Sequence, residues 1–151
     1  VLTGLTQAIL KNFAEEVIKD IKSKIPNVTG ESAASLGYRI DAQGLTIFSS
    51  KKYFTVLETG RKPGKRPPID VIEQWVRQKP ITSDISPRSL AFLIARKIGE
   101  EGSLLYRQGG NSGVISDSIN EQVIKEKLID NLSDSFRDYV INEFIKKSAE
   151  P

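Results

Sequence analysis

The chain contains no histidine, no cysteine and no methionine. That leaves carboxylates, lysines, arginines and hydroxyls as the only groups able to do chemistry. Zinc fingers, Cys/His metal sites, Ser-His-Asp triads, thiol nucleophiles and disulfide frameworks are excluded, because each needs a residue type that is missing. Adjacent carboxylates occur at Glu15-Glu16 and Glu100-Glu101. Neighbours on a helix do not share a face, so both pairs read as solvated surface charge. Glu58 ends a short apolar run just before Thr59-Gly60, and reads as a carboxylate at the edge of the core, hydrogen-bonded to nearby backbone. No Asp/Glu spacing matches a calcium loop or a two-metal site. No catalytic, cofactor-binding or metal-binding residues are expected. The strongest chemical feature is the segment from Arg61 to Pro68, RKPGKRPP. Its four cations, Arg61, Lys62, Lys65 and Arg66, could face either DNA phosphates or an acidic protein surface. Trp75 reads as a core residue on a helical apolar face, so no stacking platform for bases is evident.

The 151 residues carry a formal net charge of +3, unevenly spread. Residues 1–50 hold five basic and five acidic side chains, residues 51–110 twelve and six, residues 111–151 five and eight. A basic middle and an acidic end suit copies that meet head to tail, with opposed potentials setting the register. No run of about 20 apolar residues exists to span a membrane. The first apolar residues are interrupted by Lys11, Glu15, Glu16 and Lys19, unlike a secretory signal.

Several elements must position these groups. Leu5, Ile9, Phe13, Val17, Ile21 and Ile25, with Leu2 before them, repeat every four residues and predict an amphipathic helix over 3–25, stopped by Pro26. Asn27 to Ser32 reads as a turn, and 32–35 as a short helical turn. Residues 36–40 and 45–49 alternate as strands joined by a four-residue loop, Asp41 to Gly44. For Tyr53 to Glu58, strand and short helix are equally compatible. The Arg61–Pro68 loop cannot be regular and should be exposed and stiff. A helix over 69–78 follows, with Pro68 at its first position. Ser86-Pro87 opens another, with Leu90, Leu93, Ile94 and Ile98 as its buried stripe and Gly102 as its stop. Gly109, Gly110 and Gly113 mark the most flexible stretch. The last helix, about 116–147, carries Ile124, Leu128, Leu132, Phe136, Val140 and Phe144, widened by Ile129, Tyr139, Ile141 and Ile145. That surface is broader than one small core needs, which points to a helix used between subunits, with Ile129, Phe136, Tyr139 and Phe144 as its contacts. No internal repeat or domain boundary is evident. The expected class is α+β: a small antiparallel sheet with long terminal helices and two shorter central ones.

The stretch TGESAASL (Thr29 to Leu36), the hairpin, then YFTVLETG (Tyr53 to Gly60) followed by RKPGKRPP, a Trp helix and LAFLIARKIGEEG (Leu90 to Gly102) resembles the tailed-bacteriophage head–tail joining, or tail-completion, family of lambdoid type. The resemblance covers about residues 29–102, and Phe54 stands where the family usually has Ala. It implies a single neck/connector domain over 1–151 and a structural virion protein without catalysis. Copies would form a six- or twelve-fold ring joining the portal or an adjacent neck ring to tail proteins, with genomic DNA passing through the lumen. The protein would reside in the virion neck, and in the host cytoplasm during assembly. The alternative is a small basic nucleic-acid-binding protein using the 61–66 loop.

Overall fold

The computed structural model describes residues 2–25 and 30–148, with side chains from Gly4 onward. Pro26, the first half of the Asn27–Ser32 turn (27–29) and the Leu2 side chain lie outside what is described. The architecture is α+β, with one two-stranded antiparallel sheet. The described chain divides into two compact units. The first gathers the chain up to Lys24, Ser35–Ser50 and the chain from Ile115; the second gathers Ile25–Ala34 and Lys51–Val114. Each unit is assembled from separate stretches, so no shift in composition marks a border along the sequence.

In the first unit, α1 (Leu2–Lys24) supplies the core. Phe13, Ala14, Val17, Ile18 and Ile21 are buried along one side, the i, i+4 pattern that an amphipathic helix requires. Strands β1 (Leu36–Asp41) and β2 (Gly44–Ser49) pair antiparallel and contact α1. A lone hairpin is marginal in water, so this helix is what makes it stable. The pairs Leu36↔Ser49, Tyr38↔Ile47 and Ile40↔Leu45 are half-buried and share one face. On the other face the Phe48 ring covers Gly37, where a Cβ would come within 3.1 Å of it. The turn is tighter than the expected four-residue loop: Asp41 and Gly44 are themselves paired, leaving two residues between them. Gly44 adopts φ 125°, and the Asp41 carboxylate accepts from the Gln43 amide at 2.9 Å, the local bond that favours Asp in turns.

The last helix runs as α7 (Glu121–Ile124), a π-turn (Lys125–Ile129) and α8 (Asp130–Ser148). It starts at Glu121 rather than 116, because the Asn120 side chain accepts from the Val123 amide at 3.0 Å and caps the first turn. An apolar stripe spaced by four drifts by about 40° per step on an α-helix. One extra residue in the π-turn takes back roughly 100° of that drift. Asn131 donates to the Lys127 carbonyl at 2.7 Å, occupying an acceptor in the widened turn. The helix lies antiparallel to α1: Lys24 donates to Ser118 at 2.8 Å, and Lys127 lies 3.8 Å from Glu16.

The second unit centres on α4 (Ile69–Gln78) packed on α5 (Pro87–Glu101). It also holds the short helices α2 (Glu31–Ala34), α3 (Val56–Thr59) and α6 (Leu104–Arg107). Tyr53 to Glu58 resolves as turn and helix, with Phe54 buried. Pro68 caps α4 rather than occupying its first position. Ser86 caps α5 by accepting from the Ser89 amide at 3.1 Å. The buried line of α5 differs from the expected stripe. Ala91 and Ala95 are buried, while Leu93 is 50% exposed and Leu90, Ile94 and Ile98 are half-buried. The inner position of α5 is thus held by small side chains, with the larger ones at its margins. Trp75 is likewise no core residue: it is 37% exposed, with the Lys79 ammonium 5.9 Å from its ring centroid, a cation–π distance.

Candidate functional site

The basic loop is held in place by backbone bonds to the end of α5. Gly64 donates to the Gly99 carbonyl at 2.8 Å; Arg61 donates to Ser103 Oγ at 2.9 Å, and Ser103 returns a bond to the Arg61 carbonyl at 2.9 Å. Two glycines make this seating feasible. A Cβ on Gly99 would lie 2.6 Å from Arg66 Cγ, and a Cβ on Gly60, at φ 73°, would lie 2.4 Å from the Tyr106 amide nitrogen. The glycine-rich stretch expected to be the most flexible is also tied down. Gly110 donates to the Leu105 carbonyl at 3.0 Å, Ser112 donates to the Glu58 carbonyl at 3.0 Å, and Gly113 is buried.

This seating brings Arg66 together with Arg96, Lys97 and Arg107 around two carboxylates, with Arg61, Lys62 and Lys65 in the same loop. Glu100 lies 2.9 Å from Arg96 and 3.9 Å from Arg66; Glu101 lies 3.2 Å from Arg107 and 3.9 Å from Lys97. The hydrogen bond from Arg96 holds the Glu100 carboxyl below the usual carboxylate range. The adjacent glutamates are therefore solvated, as expected, and act as counter-ions to the basic cluster. Arg61 is turned inward to donate to the Lys65 carbonyl at 3.0 Å. Lys62 and Lys65 are exposed and make no ion pair among the described residues. Seven cations against two carboxylates leave this end of the unit at a formal +5.

Further along α5 the surface turns apolar. Ile69, Ile85, Phe92 and Leu93, with Arg88 and Ser89 at the edge, line an open cleft of about 370 Å³. Phe92, Leu93 and Ile85 are 45%, 50% and 42% exposed. Arg88 is held by Asp70 and Glu73, each at 3.1 Å. The sequence reading missed this cleft, although Leu93 falls on the side of α5 opposite Ala91 and Ala95, with Phe92 on the flank between.

The other surface belongs to α8. Phe136, Val140, Ile141, Phe144 and Ile145 are 46–74% exposed, and at 100° per residue they share one half of the helix. Ile129 is exposed too, whereas Tyr139 sits half-buried with Leu132, Ser135 and Glu143. Of the four residues assigned to an inter-subunit helix, Tyr139 thus lies on a different side from Phe136 and Phe144.

Glu58 is half-buried, with Oε2 3.5 Å from Ser112 Oγ. Glu15 accepts from the Tyr38 hydroxyl at 3.3 Å and lies 4.0 Å from Lys11. Among the described residues, no group of three metal-ligating side chains converges, and no helix is long and apolar enough to cross a membrane. No family model, curated protein or solved structure matches the chain.

Proposed function

We propose that this chain is a structural virion protein of a tailed bacteriophage. It forms a homo-oligomeric ring in the neck that joins the portal or head to the tail, with DNA passing through the lumen. The sequence resemblance over 29–102 suggests the family. The observation that carries the reading is the apolar half of α8, five large side chains left exposed on one helix, a feature that marks protein interaction surfaces. The basic end of α5, with its backbone-tied loop, offers a second surface of opposite charge. Native mass spectrometry of the chain, alone and with the structural proteins encoded beside it, tests the proposal. A closed six- or twelve-fold species, or a complex with a portal-like partner, is the expected outcome. A persistent monomer in every mixture, together with absence from purified particles, would overturn it.

The exposed ammonium groups of Lys62 and Lys65 favour one second reading, a small basic nucleic-acid-binding protein. That reading requires DNA affinity that falls steeply between low and moderate salt and collapses when Arg61, Lys62, Lys65 and Arg66 become Ala.

A further inference from the structure

We propose that α8 of one copy lies along the outward face of α5 of the next, antiparallel to it. Its acidic stretch would cover the basic loop, and its apolar stretch would fill the cleft. This rests on the ring reading above and names the two surfaces that would build the ring.

Length, charge order and apolar order agree on this arrangement. At 1.5 Å per residue, the 16 residues Asp130–Ile145 extend about 24 Å and the 15 of α5 about 22 Å. Along α5, Phe92 and Leu93 come first, followed by Arg96, Lys97 and the loop seated on Gly99. Along α8 the order is reversed: Asp130, Asp134 and Asp138 come first, and Ile141, Phe144 and Ile145 follow. Only an antiparallel pairing puts acid on base and apolar on apolar. Between 130 and 145, α8 carries four carboxylates and one cation, Arg137, which lies 2.9 Å from Asp134. Asp130 and Asp138 make no ion pair among the described residues, and neither do Lys62 and Lys65. Each surface therefore presents charges without an ion-pair partner among the described residues of its own chain, which favours correct register over affinity. Phe144, 74% exposed, is the natural anchor for the cleft, since buried aromatics dominate interface energetics. The five α8 side chains, roughly half exposed at about 200 Å² each, offer on the order of 500 Å² of apolar surface. That is more than half of the roughly 800 Å² each partner contributes to a standard interface, and it suits a helix better than a small ligand.

A charge exchange tests the pairing. Lys62→Glu with Lys65→Glu, and Asp130→Lys with Asp138→Lys, alter only exposed side chains. Circular dichroism should therefore be unchanged. By native mass spectrometry, alone and with the neighbouring virion proteins, each variant should associate about tenfold more weakly than the parent. A one-to-one mixture should recover assembly, because every interface in an alternating ring is then complementary. Since the chain lacks cysteine, Leu93→Cys in one copy and Ile141→Cys in another supply a second readout: a mixed disulfide should dominate over either homodimer. A parent that assembles with both charge variants assembling equally well would overturn this inference and leave the ring reading intact. Loss of DNA binding in the lysine variant with unchanged self-association would also overturn it. A chain that never self-associates, alone or with its neighbours, would overturn both.

Discussion

The two units reach stability by different routes. The first is built around one long helix whose buried residues come from a simple i, i+4 pattern, and its hairpin depends on that helix. The second has a smaller helix pair, and much of its order comes from loops bound backbone to backbone at Gly60, Gly64, Gly99 and Gly110. Their charges differ as well: ten basic and twelve acidic residues in the first, twelve and seven in the second. Side-chain burial tolerates gradual change, because cores repack around altered volumes. A loop seated on glycines does not, because an added Cβ has nowhere to go. The first unit should therefore be sensitive to lost volume, the second to gained volume.

The largest expected effect lies in the first unit. Phe13→Ala removes an aromatic side chain that is 4% exposed and should cost about 3–5 kcal/mol, read as a fall in the denaturant midpoint. A cost under about 1 kcal/mol would show that α1 is not the centre of that core. The contrast sharpens at Gly60→Ala, which adds one carbon where φ is 73° and the Tyr106 amide is in the way. A cost of about 2 kcal/mol or more is expected, with the change in amide exchange concentrated at 58–66 and 99–112. An unchanged exchange pattern would remove the claim that glycines seat the basic loop.

These two positions also show what was legible from sequence. Phe13 could be assigned to the core because helical burial is periodic, and periodicity survives in a bare list of residues. The hairpin, both central helices and the caps Ser86 and Gly102 were legible for similar local reasons. What makes Gly60 and Gly99 indispensable is a neighbour far along the chain, Tyr106 for one and Arg66 for the other, which no local spacing reveals. Trp75 and Leu93 were misassigned because apolar type and helical spacing do not tell which side of a helix meets a partner. The alanines, low on any hydrophobic scale, took the inner side of α5. The candidate surfaces were half legible: the charges were plain in sequence, but the apolar cleft and the place of Tyr139 needed the fold.

Smaller effects complete the comparison. Asn120→Ala removes the cap of the last helix and should cost about 1 kcal/mol, with thermal unfolding as the measure. The smallest concerns acid. The hydrogen bonds from Lys24 and Ser118 hold the Asp20 carboxyl below the usual range. A carboxylate depressed in the folded state stabilises above its unfolded pKa of about 3.9, and that contribution disappears as pH falls through the folded value. The difference in melting temperature between the parent and Asp20→Asn should thus be present at pH 7 and shrink below about pH 4. A difference that persists unchanged at pH 2 would show that Asp20 acts through shape rather than charge.

The π-turn at Lys125–Ile129 works as an index pin on a shaft. Its one surplus residue sets the clocking of everything beyond it, while α7 and the Lys127–Glu16 pair anchor the near side. Drawing these five residues into ordinary α geometry at the same length would leave the helix continuous, yet turn the outer arm by about a quarter of a revolution. Phe136 and Phe144 would then point where Arg137 and Ile145 point now. The direction in which this chain presents its apolar arm is therefore set by the geometry of one turn, and losing the surplus residue together with the π-turn would leave it nearly unchanged.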